Sequence, residues 1–172
     1  MTPDLQRLHL TVDGSTAWLR LDHGKANEMG SEELAELDRL VGWLHEAPVA
    51  ALVTHASRVT ASGTHVFVAG ANVRERVGWD DARVKAHVRY QRAVLGRLRS
   101  APLLHVGVVA GVAFGWGAEY LLTCDYVIAV EGARFALPET GLGILPGAGG
   151  TSELQRRVGP AHALRLGLTG EA

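Results

Sequence analysis

The chain has 172 residues, 47% of them hydrophobic, and a formal net charge of −1. This is enough sequence and apolar content for one domain with a buried core, and the balanced charge argues against nucleic acid or an anionic membrane surface as partner. The single cysteine, Cys124, rules out an intrachain disulfide and fits a reducing, cytoplasmic setting. The N-terminal MTPDLQRLHL lacks a signal-peptide pattern, and the most apolar stretch, Leu103–Ala113, is too short and Gly-interrupted to span a bilayer.

In chain order, residues 5–12 and 16–22 alternate in polarity and predict two strands joined by a hairpin at Asp13-Gly14. Ser31 is the expected N-cap of a helix over about 32–46, with Glu32 and Glu33 in its first turn and Leu34, Leu37, Leu40, Val41 and Leu44 setting its apolar rhythm. Residues 49–55 predict a short buried strand, 57–64 a polar loop and 66–68 a strand stub entering a glycine motif. Asp80 or Asp81 caps a helix to about Ser100, whose Val84, Val88, Leu95 and Leu98 share a face. Its Arg83, Lys85, Arg89 and Arg92 are expected on a solvated face. A buried strand over 105–109 precedes a short helix after Gly115, followed by strands near 126–130 and 134–136. Thr151 or Ser152 begins a helix to Val158, and Pro160 begins another. In that last helix, Leu164 and Leu168 share one face that can pack on the core, Leu166 then pointing elsewhere, so apolar area is expected to stay exposed there unless another subunit covers it.

Two glutamates stand out because they lie in different local contexts, twenty residues apart. Glu119 falls in the first turn of a helix, where an anion is favoured. Glu139 follows Pro138 in a loop after a short strand. Two carboxylates from separate elements can divide acid and base work or hold one water between them. Two turns, Ala69-Gly70-Ala71 and Gly115-Trp116-Gly117, can expose backbone N–H groups, and two such donors aimed at one oxygen stabilise an enolate as it forms. Other chemistries lack their residues: no G-x-G-x-x-G opens a helix after a first strand, no Gly-Lys-Ser/Thr or G-x-S-x-G occurs, and the eight histidines and one cysteine show no zinc spacing. Asp125 reads as structural.

Three blocks, VFVAGANVRE (66–75), GVAFGWGAEYLLTCD (111–125) and FALPETGLGILPGAGGTSEL (135–154), resemble the crotonase, or enoyl-CoA hydratase/isomerase, superfamily, and GKANEMG (24–30) is a weaker match to its CoA-contacting loop. The resemblance implies an α/β fold, a crotonase-like spiral of ββα units. Crotonases usually continue into a C-terminal helical region, so a chain ending at Ala172 is expected to lack it. The resemblance further implies Glu119 and Glu139 as catalytic, the amides of Ala71 and Trp116 as the oxyanion hole, and Lys25, Ala26, Ala69, Gly70, Asn72 and Gly115 as CoA or substrate contacts. It implies an acyl-CoA thioester as partner, with CoA as part of the substrate and no cofactor or metal. With the C-terminal region supplied, it implies a homo-oligomer, a trimer or dimer of trimers.

Two positions depart from the family pattern. Trp116 stands where Gly is usual, its indole either lining an acyl pocket or packing in the core. Asn72 stands where Asp is frequent. Hydratases of this family use both glutamates and isomerases commonly keep only the second, so the pair favours hydration of a 2-enoyl-CoA. The alternatives are an isomerase, a C–C lyase or hydrolase on the same enolate, and a non-catalytic acyl-CoA-binding or scaffolding subunit.

Overall fold

A computed structural model describes residues 1–172. The chain opens with a hairpin, β1 (Leu8–Asp13) and β2 (Thr16–Leu21), then α1 (Ser31–Leu44). Three further passes each add two strands: β3 (Ala51–Ala56) with β4 (Val66–Val68), β5 (Leu104–Val109) with β6 (Val112–Phe114), and β7 (Tyr126–Ala129) with β8 (Arg134–Ala136). Each pass ends in helix: α2 (Asp81–Arg99), α3 (Trp116–Leu121), then α4 (Gly150–Val158) and α5 (Pro160–Thr169). One strand of each pass joins a five-stranded sheet ordered β1-β2-β3-β5-β7, parallel except for the hairpin, and the other joins a parallel three-stranded sheet ordered β4-β6-β8. This is the ββα spiral expected from the sequence.

The helix starts show local chemistry setting the boundaries. Helix α1 begins one residue early, with Gly30 rather than Ser31 as its N-cap. The Gly30 amide donates to Glu33 (3.0 Å), while the Ser31 amide and hydroxyl donate to Glu75 (3.0 and 3.2 Å), so a distant carboxylate occupies the serine. At α2 the Asp80 carboxylate accepts the Arg83 amide at 2.7 Å, the cap expected there. Helix α4 starts at Gly150, just before the expected Thr151 or Ser152. Glu139 lies in a 3₁₀ turn, Pro138–Leu142, of which it is the one buried residue, rather than in an open loop, because Pro138 presets the first helical φ. Strand β6 went unrecognised in sequence because it follows β5 after only Ala110-Gly111.

Helix α3 is seated tightly on β4. A Cβ at Gly117 would lie 2.5 Å from the Val68 carbonyl oxygen, so a side chain there must push the helix off the sheet. Gly117→Ala is expected to cost about 1–3 kcal/mol in chemical denaturation; an unchanged midpoint would show that the contact is slack. Beneath α3, Tyr120 donates to or accepts from Thr54 (2.8 Å), which also meets the His105 ring (3.1 Å). Burial pushes His105 down to about 4, so this core imidazole is neutral. Asp125 is structural, as expected: its carboxylate accepts the His105 amide and its amide donates to the His105 carbonyl, both at 2.8 Å.

The last helix leaves apolar area exposed, as expected, and its facing is the other of the two possible ones. Leu164 and Leu168 do share a face, but it is the exposed one, at 62% and 69%. Leu166 is the half-buried residue, beside Phe135 and Leu137. Spacing identifies a shared face but not which face tertiary packing selects; here α5 meets the 3₁₀ turn, with the Thr140 hydroxyl donating to the Leu168 carbonyl at 3.3 Å.

Candidate active site

The loop after β4 is fastened to the segment before α1. The Ala69 amide donates to the Ala26 carbonyl (3.0 Å), the Met29 amide to the Gly70 carbonyl (2.9 Å) and the Asn72 amide to the Met29 carbonyl (2.9 Å). Asn27, buried at positive φ (53°), anchors that segment: its side-chain amide donates to the Val66 and Phe67 carbonyls at 3.2 and 2.9 Å. These bonds leave the Ala71 amide with no protein acceptor. The Trp116 amide, first in α3, also has none, as the first turn of a helix dictates.

Gly115, the N-cap of α3, has φ 52° and ψ −119°, a conformation that glycine tolerates and side-chain-bearing residues avoid. A Cβ at Gly115 would also lie 2.8 Å from Glu139 Oε1, so the Glu139 carboxylate rests directly against the turn that presents the Trp116 amide. Its other oxygen, Oε2, is buried without a partner.

Glu119 is 3% exposed, and its Oε1 accepts the Ala148 and Gly150 amides, both at 2.8 Å. The carboxylate is thus held by the start of α4, not by its own helix as the sequence suggested. Burial pushes Glu119 from the ordinary 4.5 up to about 7; the Gly150 amide opposes the rise and nearby Glu139 adds to it. Burial also raises Glu139, against the pull of its own backbone amide.

A cleft of about 310 Å³ collects these groups: Ala69, Gly70, Ala71, Gly115, Trp116, Glu119 and Glu139 all line it. Lys25, Ala26 and Asn72 do not. Lys25 is exposed, while Ala26 and Asn72 act through the backbone bonds that fasten the loop. The indole of Trp116 meets both expectations: it is 2% exposed and tilted against Tyr120 with centroids 5.5 Å apart, and it also borders the cleft. Ten of the lining residues are not among those the sequence singled out, and they include Arg76, the α2 residues Val84, Val88 and Gln91, and Ile144. The signal for Gln91 was present, since it sits on the apolar stripe of Val84, Val88, Leu95 and Leu98 at helical spacing.

The Glu119 shift carries a stability consequence. Because the folded carboxyl is raised, the native state keeps a proton that the unfolded chain releases. Stability from this group is therefore intact below pH 4.5 and lost as pH rises from 4.5 to about 7. Glu119→Gln keeps an acceptor for the two amides and removes the titration. Relative to wild type it is expected to gain about 3 kcal/mol between those limits, at about 1.36 kcal/mol per pKa unit. A stability difference independent of pH in denaturant titrations would contradict the shift.

Residues 54–172 match the enoyl-CoA hydratase/isomerase family. The chain belongs to this family. The matched span includes both glutamates and both unpaired amides. A short-chain-enoyl-CoA hydratase of Clostridium acetobutylicum is 33% identical over 170 residues, covering 98% of this chain and 63% of that protein. Pseudomonas aeruginosa DspI has a similar structure, with TM-score 0.89 at 32% identity, over 98% of this chain and 67% of that one. An enoyl-CoA hydratase of Bacillus anthracis gives TM-score 0.86 at 30% identity, over 96% and 64%. The chain thus spans about two thirds of these relatives' length. No helix in this family member is long and apolar enough to cross a membrane.

Proposed function

We propose that this chain carries a hydratase site that adds water across the C2=C3 bond of a 2-enoyl-CoA thioester, and removes it in reverse. The observation that carries the reading is the convergence of Glu119, Glu139 and the unpaired Ala71 and Trp116 amides on one cleft. The thioester oxygen accepts from the two amides, which stabilise the enolate as negative charge moves onto it. The glutamates hold the water between them. One takes a proton as the oxygen bonds to C3, and the other delivers a proton to C2, so one water is consumed and no redox partner is needed. A Glu119 carboxyl near 7 exchanges protons readily at neutral pH.

CoA enters as part of the substrate, with no separate cofactor. The loop bearing Lys25 and Ala26, bonded to Ala69, is the proposed CoA contact, with Asn72 beside it. Exposed Leu164 and Leu168 favour assembly into a homo-oligomer. Loss of enoyl-thioester absorbance on adding a short 2-enoyl-CoA to the full-length protein tests the reading. Binding without turnover would point instead to a scaffolding role.

A further inference from the structure

The cleft holds buried hydrogen-bond donors that the reaction does not use. Gln91 is 3% exposed, and its Nε2 has no acceptor. Arg76, half-buried, has both Nε and Nη2 buried and unpaired, and no carboxylate bridges it. Its neighbour Glu75 is occupied by the Ser31 amide and hydroxyl. Trp116 also lines the cleft, and its buried Nε1 is a fourth donor without an acceptor. Buried donors without acceptors are costly and uncommon in folded proteins. The matching acceptors are then supplied by the occupant, because the free carboxylate oxygens of the cleft, on Glu119 and Glu139, belong to the proposed hydration step.

The chemistry of these donors selects the occupant. A guanidinium presents a planar fork of donors that fits a carboxylate bidentately, and Gln91 adds a neutral donor. Val84, Val88 and Ile144 supply apolar wall for a few methylenes, and about 310 Å³ leaves room for a short chain only. Arg76 ends the 3₁₀ turn Val73–Arg76 that follows the Ala69–Asn72 loop, so its position relative to the Ala71 amide is set by rigid backbone. We propose that the cleft takes a short acyl-CoA whose far end carries a carboxylate, held by the Arg76 guanidinium and the Gln91 side-chain amide. This rests on the acyl-CoA reading of the site and narrows its substrate class to monothioesters of short dicarboxylic acids.

The test is calorimetric titration of the full-length protein with two saturated thioesters that cannot react, glutaryl-CoA and pentanoyl-CoA. Wild type is expected to bind glutaryl-CoA about 10–100-fold more tightly, the scale of hydrogen bonds to a charged group. In Arg76→Met the ratio of the two affinities falls to about one, Arg76→Lys recovers part of it, and Gln91→Met reduces it. Gln91→Met also serves as the second readout should Arg76→Met fail to fold. Equal binding of both thioesters by wild type, with 2-pentenoyl-CoA hydrated normally, would overturn this proposal and leave the hydratase reading standing. An unchanged ratio in folded Arg76→Met would also overturn it. Binding of neither thioester would overturn both.

Discussion

Glu119→Gln and Glu139→Gln are each expected to slow hydration of a good 2-enoyl-CoA by ~10²–10⁴, the usual scale for losing a general acid or base. The loss should appear in kcat with little change in thioester affinity, because glutamine preserves size and, at position 119, an acceptor for the Ala148 and Gly150 amides. The pH profile separates the two variants from general damage. With Glu119 near 7, wild-type kcat/KM should show a limb near neutrality that Glu119→Gln lacks. The double variant should be little slower than either single one, since residues acting on one water lose their effect together. Wild-type rates in both single variants would remove the glutamates from the mechanism.

The second large effect concerns the Trp116 amide, which a side-chain change leaves in place. Proline at position 116 removes the N–H at the first position of α3, where helices accept proline, and Gly115 ahead of it tolerates the restriction that proline imposes. Trp116→Ala removes the indole but keeps the amide, so the pair isolates the donor. Trp116→Pro is expected to be ~10²–10³ slower than Trp116→Ala in kcat, the cost of one oxyanion-hole donor, while the two melt within a few degrees of each other. Equal rates in the two variants would show that this amide does not meet developing charge.

Much of this site was legible because its parts lie in short local motifs. Glycines at 70, 115 and 117 announce tight backbone, and two glutamates sit beside those turns. The spiral followed from the resemblance of the three blocks to the family, since the strand-strand-helix succession is incomplete in sequence without β6. What sequence could not supply came from distant partners: Glu75 displacing Ser31 as cap, α4 rather than α3 holding the Glu119 carboxylate, and the 3₁₀ turn enclosing Glu139. The facing of α5 was lost for the same reason. Arg76 and Gln91 escaped because one follows a recognised motif and the other interrupts an apolar stripe. Neither is informative until the cleft shows their donors unpaired.

The burial that raises Glu119 also makes the site costly to fold at neutral pH, an arrangement common where a carboxyl must both hold and release a proton. The hydratase, isomerase and scaffold readings part at the fate of water. The most direct measurement is incubation of the full-length protein with a short 2-enoyl-CoA in water enriched in ¹⁸O, followed by mass spectrometry of the thioester product. The account predicts a 3-hydroxyacyl-CoA carrying ¹⁸O at C3, formed by wild type and nearly absent with Glu139→Gln. Bound but unchanged enoyl-CoA, or a shifted double bond without ¹⁸O, would contradict it.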